Sequence, residues 1–199
     1  MNSDNEVKTL PLFPLGVFLF PNEVKTLHIF EEKYRNLFQD LEEKENLFGI
    51  PFVMNGQLMD CGCIVRLEKI LNRYITGESD VLIKCGGYFR TNSYFNEHQE
   101  RLYPFGDVEL FELKNIYASK KLLGLFADYS KDILKTSFSG KTIFSIASNL
   151  NMMDWEKFDL CNEADESKID NRLSNIIKIK TELANQLTQL GENTYPFYN

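Results

Sequence analysis

Two histidines, four cysteines and a few hydroxyl and carboxylate pairs are the side chains of this sequence that suggest chemistry. His28 and His98 stand without a partner pattern. A metal site needs three or four ligands at workable spacing, and Cys61, Cys63, Cys85 and Cys161 contain no Cys-x-x-Cys pair. Cys61 and Cys63 are two apart and share one face if they lie on a strand. Without a signal for export, such cysteines read as buried reduced thiols. Glu31 and Glu32 are adjacent, and on a helix they point about 100° apart, too far to act as a general acid/base pair. Gly140-Lys141-Thr142 mimics the end of a phosphate loop, but that loop needs a glycine five residues before Gly140, where Lys135 stands. Ser137 and Ser145 do not pair with a lysine or histidine in any readable arrangement. The expectation is a protein without catalytic residues, metal or cofactor.

His28 and Arg35 are polar candidates to touch a ligand, although a lone His in a strand is more often a satisfied structural residue and Arg35 can pair with Glu31 one turn earlier. Five large apolar groups, Leu12, Phe13, Leu15, Phe18 and Phe20, crowd into nine residues. A single strand cannot hide them on one face. Either both faces are covered, or some form a recognition patch. Leu12, Phe13, Phe18, Phe20, His28 and Arg35 are therefore the candidate peptide-binding residues.

The 199 residues suit one domain or two small ones. Hydrophobic residues make up 43% and charged residues 26%, a globular composition that argues against wholesale disorder. Twenty-two basic against 29 acidic residues give a net charge of -7, which argues against a phosphate-tracking nucleic-acid binder. Met1 to Thr9 is polar and lacks an apolar signal core. The longest apolar run, Leu10 to Phe20, is broken by Pro11 and Pro14 and is too short to span a membrane. No membrane partner and a cytoplasmic location are the expectations.

The chain divides near Lys114, strand-like before it and helical after it. Pro11 and Pro14 confine the opening to an edge strand or extended arm. Val17 to Phe20 reads as a short strand, and Val24 to Ile29 as another, with Val24, Thr26 and His28 on one face. Glu31 to Glu45 reads as a helix whose apolar stripe is Phe30, Tyr34, Leu37, Phe38 and Leu41. Phe48 to Met54 is a strand, Asn55-Gly56 a hairpin turn, and Cys61 to Leu71 the returning strand. Gly77 to Asp80 is a turn, Val81 to Cys85 a strand, and Gly86-Gly87 allows a bulge or positive φ. Tyr88 to Phe95 and Phe105 to Leu113 complete a set that favours a closed or nearly closed barrel. Helices follow over Ser119 to Lys135, after a cap at Ser139 or Thr142, over Trp155 to Leu160 with Asp154 as cap, and from Glu166 to Leu190, ended by Gly191.

An ordered set of segments then resembles the N-terminal substrate-recognition domain of the Lon ATP-dependent protease family. Leu10-Pro-Leu-Phe-Pro-Leu15 looks like its opening arm. Phe20-Pro21, Leu27-His-Ile-Phe-Glu31, Tyr34-Arg35 and Phe48-Gly49-Ile50 follow at the family's spacing. Gly62-Cys-Ile-Val65, Gly87-Tyr-Phe-Arg90 and Tyr103-Pro104 to Val108-Glu109 resemble its later strands. Ile143 to Leu150, Glu156-Lys157, Leu160 and Arg172-Leu173 are spaced like its helical part, so the likeness spans roughly residues 8 to 190. Asn22, Ile75-Thr-Gly-Glu78 and Gly86-Gly87 depart from the family pattern in loops.

The resemblance implies an α+β fold: a PUA-like β pseudo-barrel with one inserted helix over residues 1–114, followed by an α-helical bundle over residues 115–199. It implies a stand-alone, non-catalytic protein- or peptide-binding module without the family's ATPase or peptidase parts. An adaptor role in protein quality control is one form this takes. The expected partner is unfolded polypeptide or a specific protein, with self-association through the same surfaces. The alternative is a small-ligand or RNA-binding PUA-like module, by analogy of fold alone.

Overall fold

The computed structural model describes residues 7–44, 46–96, 102–113 and 115–189. The chain forms two compact units, Met1–Leu113 and Lys114–Asn199. The fold is α+β: among the described residues there are one six-stranded antiparallel sheet and five helices.

The first unit is built on hairpins. β1 (Val7–Pro11) pairs antiparallel with β6 (Phe105–Phe111), and the sheet continues through β5 (Ser79–Thr91) and β4 (Gln57–Arg73) to β3 (Leu47–Met54). The β3–β4 turn is the Asn55-Gly56 pair, with φ of 53° and 76°, the backbone that favours these residues in a tight hairpin. β4 and β5 are long and bent. Their register shifts at Ile64/Val65, where Gly86 is the extra residue opposite, and again at Leu67/Lys69 and Ile70/Asn72. A bulge near Gly86 is as expected, though its φ is not positive.

Closure comes from the arm that follows β1. Leu12 bridges to Gly49 and Leu15 to Phe52, both parallel to β3. The Leu12 N–H donates to Pro104 O at 2.8 Å, Phe13 N–H to Gly49 O at 2.8 Å, and Leu15 N–H to Pro51 O at 3.2 Å. Val53 N–H returns a bond to Leu15 O at 2.9 Å. The last strand in the sheet order is thereby joined to the continuation of the first, and the edge that β3 would present is occupied. Leu10, Leu12, Ile64, Phe89 and Val108 fill the interior.

Val17–Phe20 is not a strand. Its backbone is held by side chains instead: Leu19 N–H donates to Cys63 Sγ at 3.3 Å, and the Leu19 carbonyl accepts the Tyr88 hydroxyl at 3.0 Å. α1 (Glu32–Glu43) buries Tyr34, Leu37, Phe38 and Leu41. Phe30 does not join that stripe; it precedes the helix and is 59% exposed. Cys61, Cys63 and Cys85 are buried, and Cys161 is half-buried.

The second unit holds α2 (Lys120–Asp132), α3 (Ile143–Ala147), α4 (Asp154–Asn162) and α5 (Glu166–Gln189). Ser119 caps α2: its Oγ accepts from Leu122 N–H at 3.1 Å and donates to Asp170 at 2.8 Å. Thr142, one of the two expected caps, accepts from Ser145 N–H. Asp154 is the first residue of α4 rather than its cap, and Glu156 accepts the Met153 N–H at 2.8 Å. Leu122, Phe126 and Tyr129 on α2 and Ile169, Leu173, Ile177 and Ala184 on α5 are buried. Gly191 and the aromatic stretch Tyr195 to Tyr198 lie outside the described residues.

Gly62 is where two strands approach too closely for a side chain. A Cβ there would stand 2.2 Å from Ile50 O and 2.7 Å from Pro51 Cα, both backbone. Gly62→Ala must push β3 away from β4, and the expected destabilisation is about 2 kcal/mol or more, read as a shifted urea midpoint against the unchanged chain.

Candidate functional site

β2 (Val24–Ile29) is held on one side alone. It pairs antiparallel with the first half of β5, from Val24↔Lys84 to Ile29↔Ser79. Among the described residues no strand pairs with its other edge. The phase of the ladder follows from Cys85 N–H, which donates to Glu23 O at 2.9 Å. Alternate residues of an antiparallel pair bond across it. Lys25, Leu27 and Ile29 therefore bond to β5, and the N–H and C=O groups of Val24, Thr26 and His28 point outward. The side chains of these three residues also lie on the exposed face, while Leu27 and Ile29 face the core. This is the facing that the alternation in the sequence requires.

The tip of the β4–β5 hairpin stands beside this edge. Tyr74 N–H donates to Glu78 O and Gly77 N–H to Tyr74 O, each at 2.9 Å. Asp80 fastens the hairpin to β2. Its carboxylate accepts the Tyr74 hydroxyl at 2.6 Å and the Asn72 amide at 3.0 Å, and lies 2.8 Å from His28 Nδ1. A carboxylate only accepts, so Nδ1 carries the proton of a neutral His28. His28 Nε2 is 3.7 Å from Glu78. The bond from Tyr74, then those from Asn72 and His28, hold the Asp80 carboxyl down at a pKa of about 2. The phenol answers in the opposite sense: the Asp80 carboxylate raises the Tyr74 pKa.

Aromatic and aliphatic groups surround this polar tie and are left in solvent. The His28 ring stacks on Phe30 with centroids 6.1 Å apart and meets Tyr74 edge-on at 5.9 Å. Phe30 and Tyr74 are exposed, and Ile75 at the apex is 108% exposed, as bare as in an extended peptide. Val24 and Leu71 add to the exposed apolar area. On the other flank of the tip, Arg35 of α1 donates from Nη1 to Thr76 O at 2.9 Å. A cleft of about 230 Å³ opens there between α1 and the hairpin, lined by Arg35, Gln39, Glu42, Arg73, Tyr74 and Glu78. Arg73 and Glu42 form an ion pair across it.

Of the six candidate residues, the structure brings His28 and Arg35 to opposite sides of one hairpin tip. It places the other four elsewhere. Leu12, Phe18 and Phe20 are 0% exposed and Phe13 is 6% exposed, so they form core and not a surface patch. Phe13 packs on Tyr34 and Phe38, and Phe18 on Phe52 and Tyr88. Both faces of the arm are covered. Thr26, Phe30, Tyr74 and Ile75 were not singled out by sequence. A signal was present for two of them: Tyr74-Ile75 are large apolar residues in a turn segment, where polar ones are the rule. Among the described residues no group of three or more His, Cys, Asp or Glu is placed to hold a metal ion, and no helix is long and apolar enough to cross a membrane.

The comparisons with known proteins point one way. The family model for the ATP-dependent protease La (LON) substrate-binding domain matches residues 9–187. A solved Lon N-terminal domain protein from Xanthomonas campestris is 20% identical, with a TM-score of 0.64 over 83% of this chain and 96% of that one. The N-terminal domain of the Mycobacterium avium complex Lon protease is 13% identical, with a TM-score of 0.61 over 86% of this chain and 98% of that one. At these identities the likeness to the two structures is one of fold. Comparison with curated proteins gives no match.

The Asp80 tie sets a pH window. Because its folded pKa is depressed, its contribution is fully present above the unfolded value near 3.8 and is lost as pH falls through about 2. Carboxyl carbon NMR of Asp80 should titrate near 2, and Tyr74→Phe should raise that midpoint; an unshifted midpoint in the variant would remove Tyr74 as the main cause.

Proposed function

The chain belongs to the ATP-dependent protease La (LON) substrate-binding domain family, and on that premise we propose that it is a non-catalytic recognition module that holds unfolded or partly folded polypeptide along the open edge of β2. The observation that carries this reading is the outward row of main-chain groups at Val24, Thr26 and His28, set beside exposed Phe30, Tyr74 and Ile75. An extended segment adds to such an edge as a further strand. Main-chain hydrogen bonds supply affinity for any sequence, and alternate side chains meet the neighbouring apolar groups. Each bond contributes about 1 kcal/mol net, so burial of Ile75, Tyr74 and Phe30 supplies a large part of the affinity.

Folded proteins keep their own strand edges and apolar residues occupied, which gives the site its preference for unfolded chain. Asp80, through Tyr74, Asn72 and His28, keeps the hairpin and β2 in fixed relation, so the edge is ordered before the client arrives. Arg35 acts from the opposite flank by holding the tip through Thr76. Glu78 and Asp80 beside the edge, with the net charge of -7, favour polypeptide over RNA. In the cell the module serves as an adaptor in cytoplasmic protein quality control, and self-association uses the same edge when no client is present.

Fluorescence anisotropy with fluorescein-labelled, reduced and carboxymethylated α-lactalbumin tests the reading. The protein should bind this unfolded chain and ignore the disulfide-intact form. Ile75→Asp should weaken binding tenfold or more. Thr26→Pro removes an outward N–H without touching the ladder to β5 and should do the same, with the unfolding temperature of both variants unchanged within about 2 °C. Failure of the unchanged protein to bind overturns the proposal, as does full binding by both variants.

A further inference from the structure

A second surface lies wholly in the C-terminal unit and does not depend on the β2 edge. α2 and α5 run in the same direction: Ser119 bonds Asp170 near both N-termini, and Ile133 at the end of α2 shares a cleft with Thr181 and Glu182. The cleft has a volume of about 370 Å³, in the range of ligand-binding sites. Its origin is in the sequence of α5. The buried stripe Ile169, Leu173, Ile177 continues as Thr181 and Ala184, so the side chains shrink just where the last turn of α2 passes. Thr181 turns its hydroxyl back to Ile177 O at 2.8 Å and fills little of the space.

The floor is apolar: Tyr129 and Ile177, with Leu125 and Ile133 at the mouth. The rim is acidic. Asp128, Asp132 and Glu182 stand around it against one cation, Lys178. Two of these carboxylates lie at the C-terminal end of α2, where the helix dipole disfavours negative charge and the last carbonyls also attract cations. Lys131 offsets part of this from the same turn.

We propose that this groove docks a basic amphipathic polypeptide segment, whose apolar stripe fills the space over Thr181 and whose flanking Lys or Arg residues meet Asp128, Asp132 and Glu182. A helix laid in the groove presents apolar groups at i, i+3 and i+4 to the floor. The acidic rim selects against an apolar segment with acidic flanks, because like charges would be brought together as water is excluded. The interaction weakens with salt, since the rim is open to solvent.

The test uses the whole protein and a fluorescein-labelled 18-residue amphipathic helix of Leu and Lys, with a counterpart in which every Lys is Glu. The Leu/Lys peptide should bind at least tenfold more tightly. The Asp128→Asn, Asp132→Asn, Glu182→Gln variant should lose about tenfold. Thr181→Leu restores the apolar stripe and fills the groove, so it should abolish binding while the unfolding temperature holds or rises. Amide shifts on titration should centre on residues 125–133 and 177–182. Equal binding of both peptides, binding retained by Thr181→Leu, or a footprint on Val24–Ile29 overturns the proposal. So does a dimer in sedimentation equilibrium that Thr181→Leu dissolves, because the occupant is then a second copy. Loss of lactalbumin binding with this footprint intact touches only the β2 reading.

Discussion

Six residues, Leu10 to Leu15, carry hydrogen bonds to two strands that would otherwise be free edges. The arm is antiparallel to β6 on one side and parallel to β3 on the other. Its sequence suits that position. Leu12, Phe13 and Leu15 each donate to a carbonyl; Pro11, which has no N–H, stands before them, and Pro14 stands between Phe13 and Leu15. Leu12 settles between two bare glycines: a Cβ on Gly49 or Gly106 would come within 2.7 or 2.9 Å of its methyl groups. Prolines that would break an interior strand thus fall at positions of the arm where no N–H has to be given. Closure lets Leu10 and Leu12 of the arm share a core with Ile64 of β4, Phe89 of β5 and Val108 of β6, and it leaves β2 outside the closed ring.

That exclusion leaves open the edge proposed here for recognition. β2 attaches to the half of β5 that extends beyond the ring, and the bulges at Leu67/Lys69 and Ile70/Asn72 bend β4 with it. A sheet protects most edges by pairing or covering them. Here one edge stays open next to a fixed aromatic and aliphatic tip. Structural rigidity and availability for binding therefore come from neighbouring parts of one hairpin: the polar tie at Asp80 fixes the geometry, and Ile75 offers the apolar area.

The hairpin at Asn55-Gly56, α1 and the long final helix are legible because each rests on local rules of period and turn chemistry. That Leu12, Phe13, Phe18 and Phe20 are core and not an exposed patch is not legible in the sequence, for a non-local reason. An apolar run does not reveal whether one face or both are covered, and Phe18 and Phe20 lie buried in an irregular segment whose Leu19 backbone is bonded to Cys63 and Tyr88 far along the chain. Val17–Phe20 resembled a strand because its residues favour one, yet side chains supply the partners that a ladder would have given. Phe30 fits the helical period of Tyr34 and Leu37, but the helix begins two residues later and the ring turns outward. The site itself is a juxtaposition of β2 with a turn some fifty residues away (His28 and Asp80 are 52 apart), and no pattern within one segment encodes it.

The pairing of the first strand with the last has a bearing on biosynthesis. Thr9 and Asp107, joined by a hydrogen bond of 2.6 Å, are 98 positions apart. A chain made from its N-terminus cannot complete the ring until β6 has emerged, and contacts of such separation form late and slowly. Throughout that interval Leu10 to Phe20 is an uncovered apolar segment without its partners, of the kind that invites aggregation or a chaperone. During its own synthesis this protein presents the same class of surface that its folded form is proposed to take up in others.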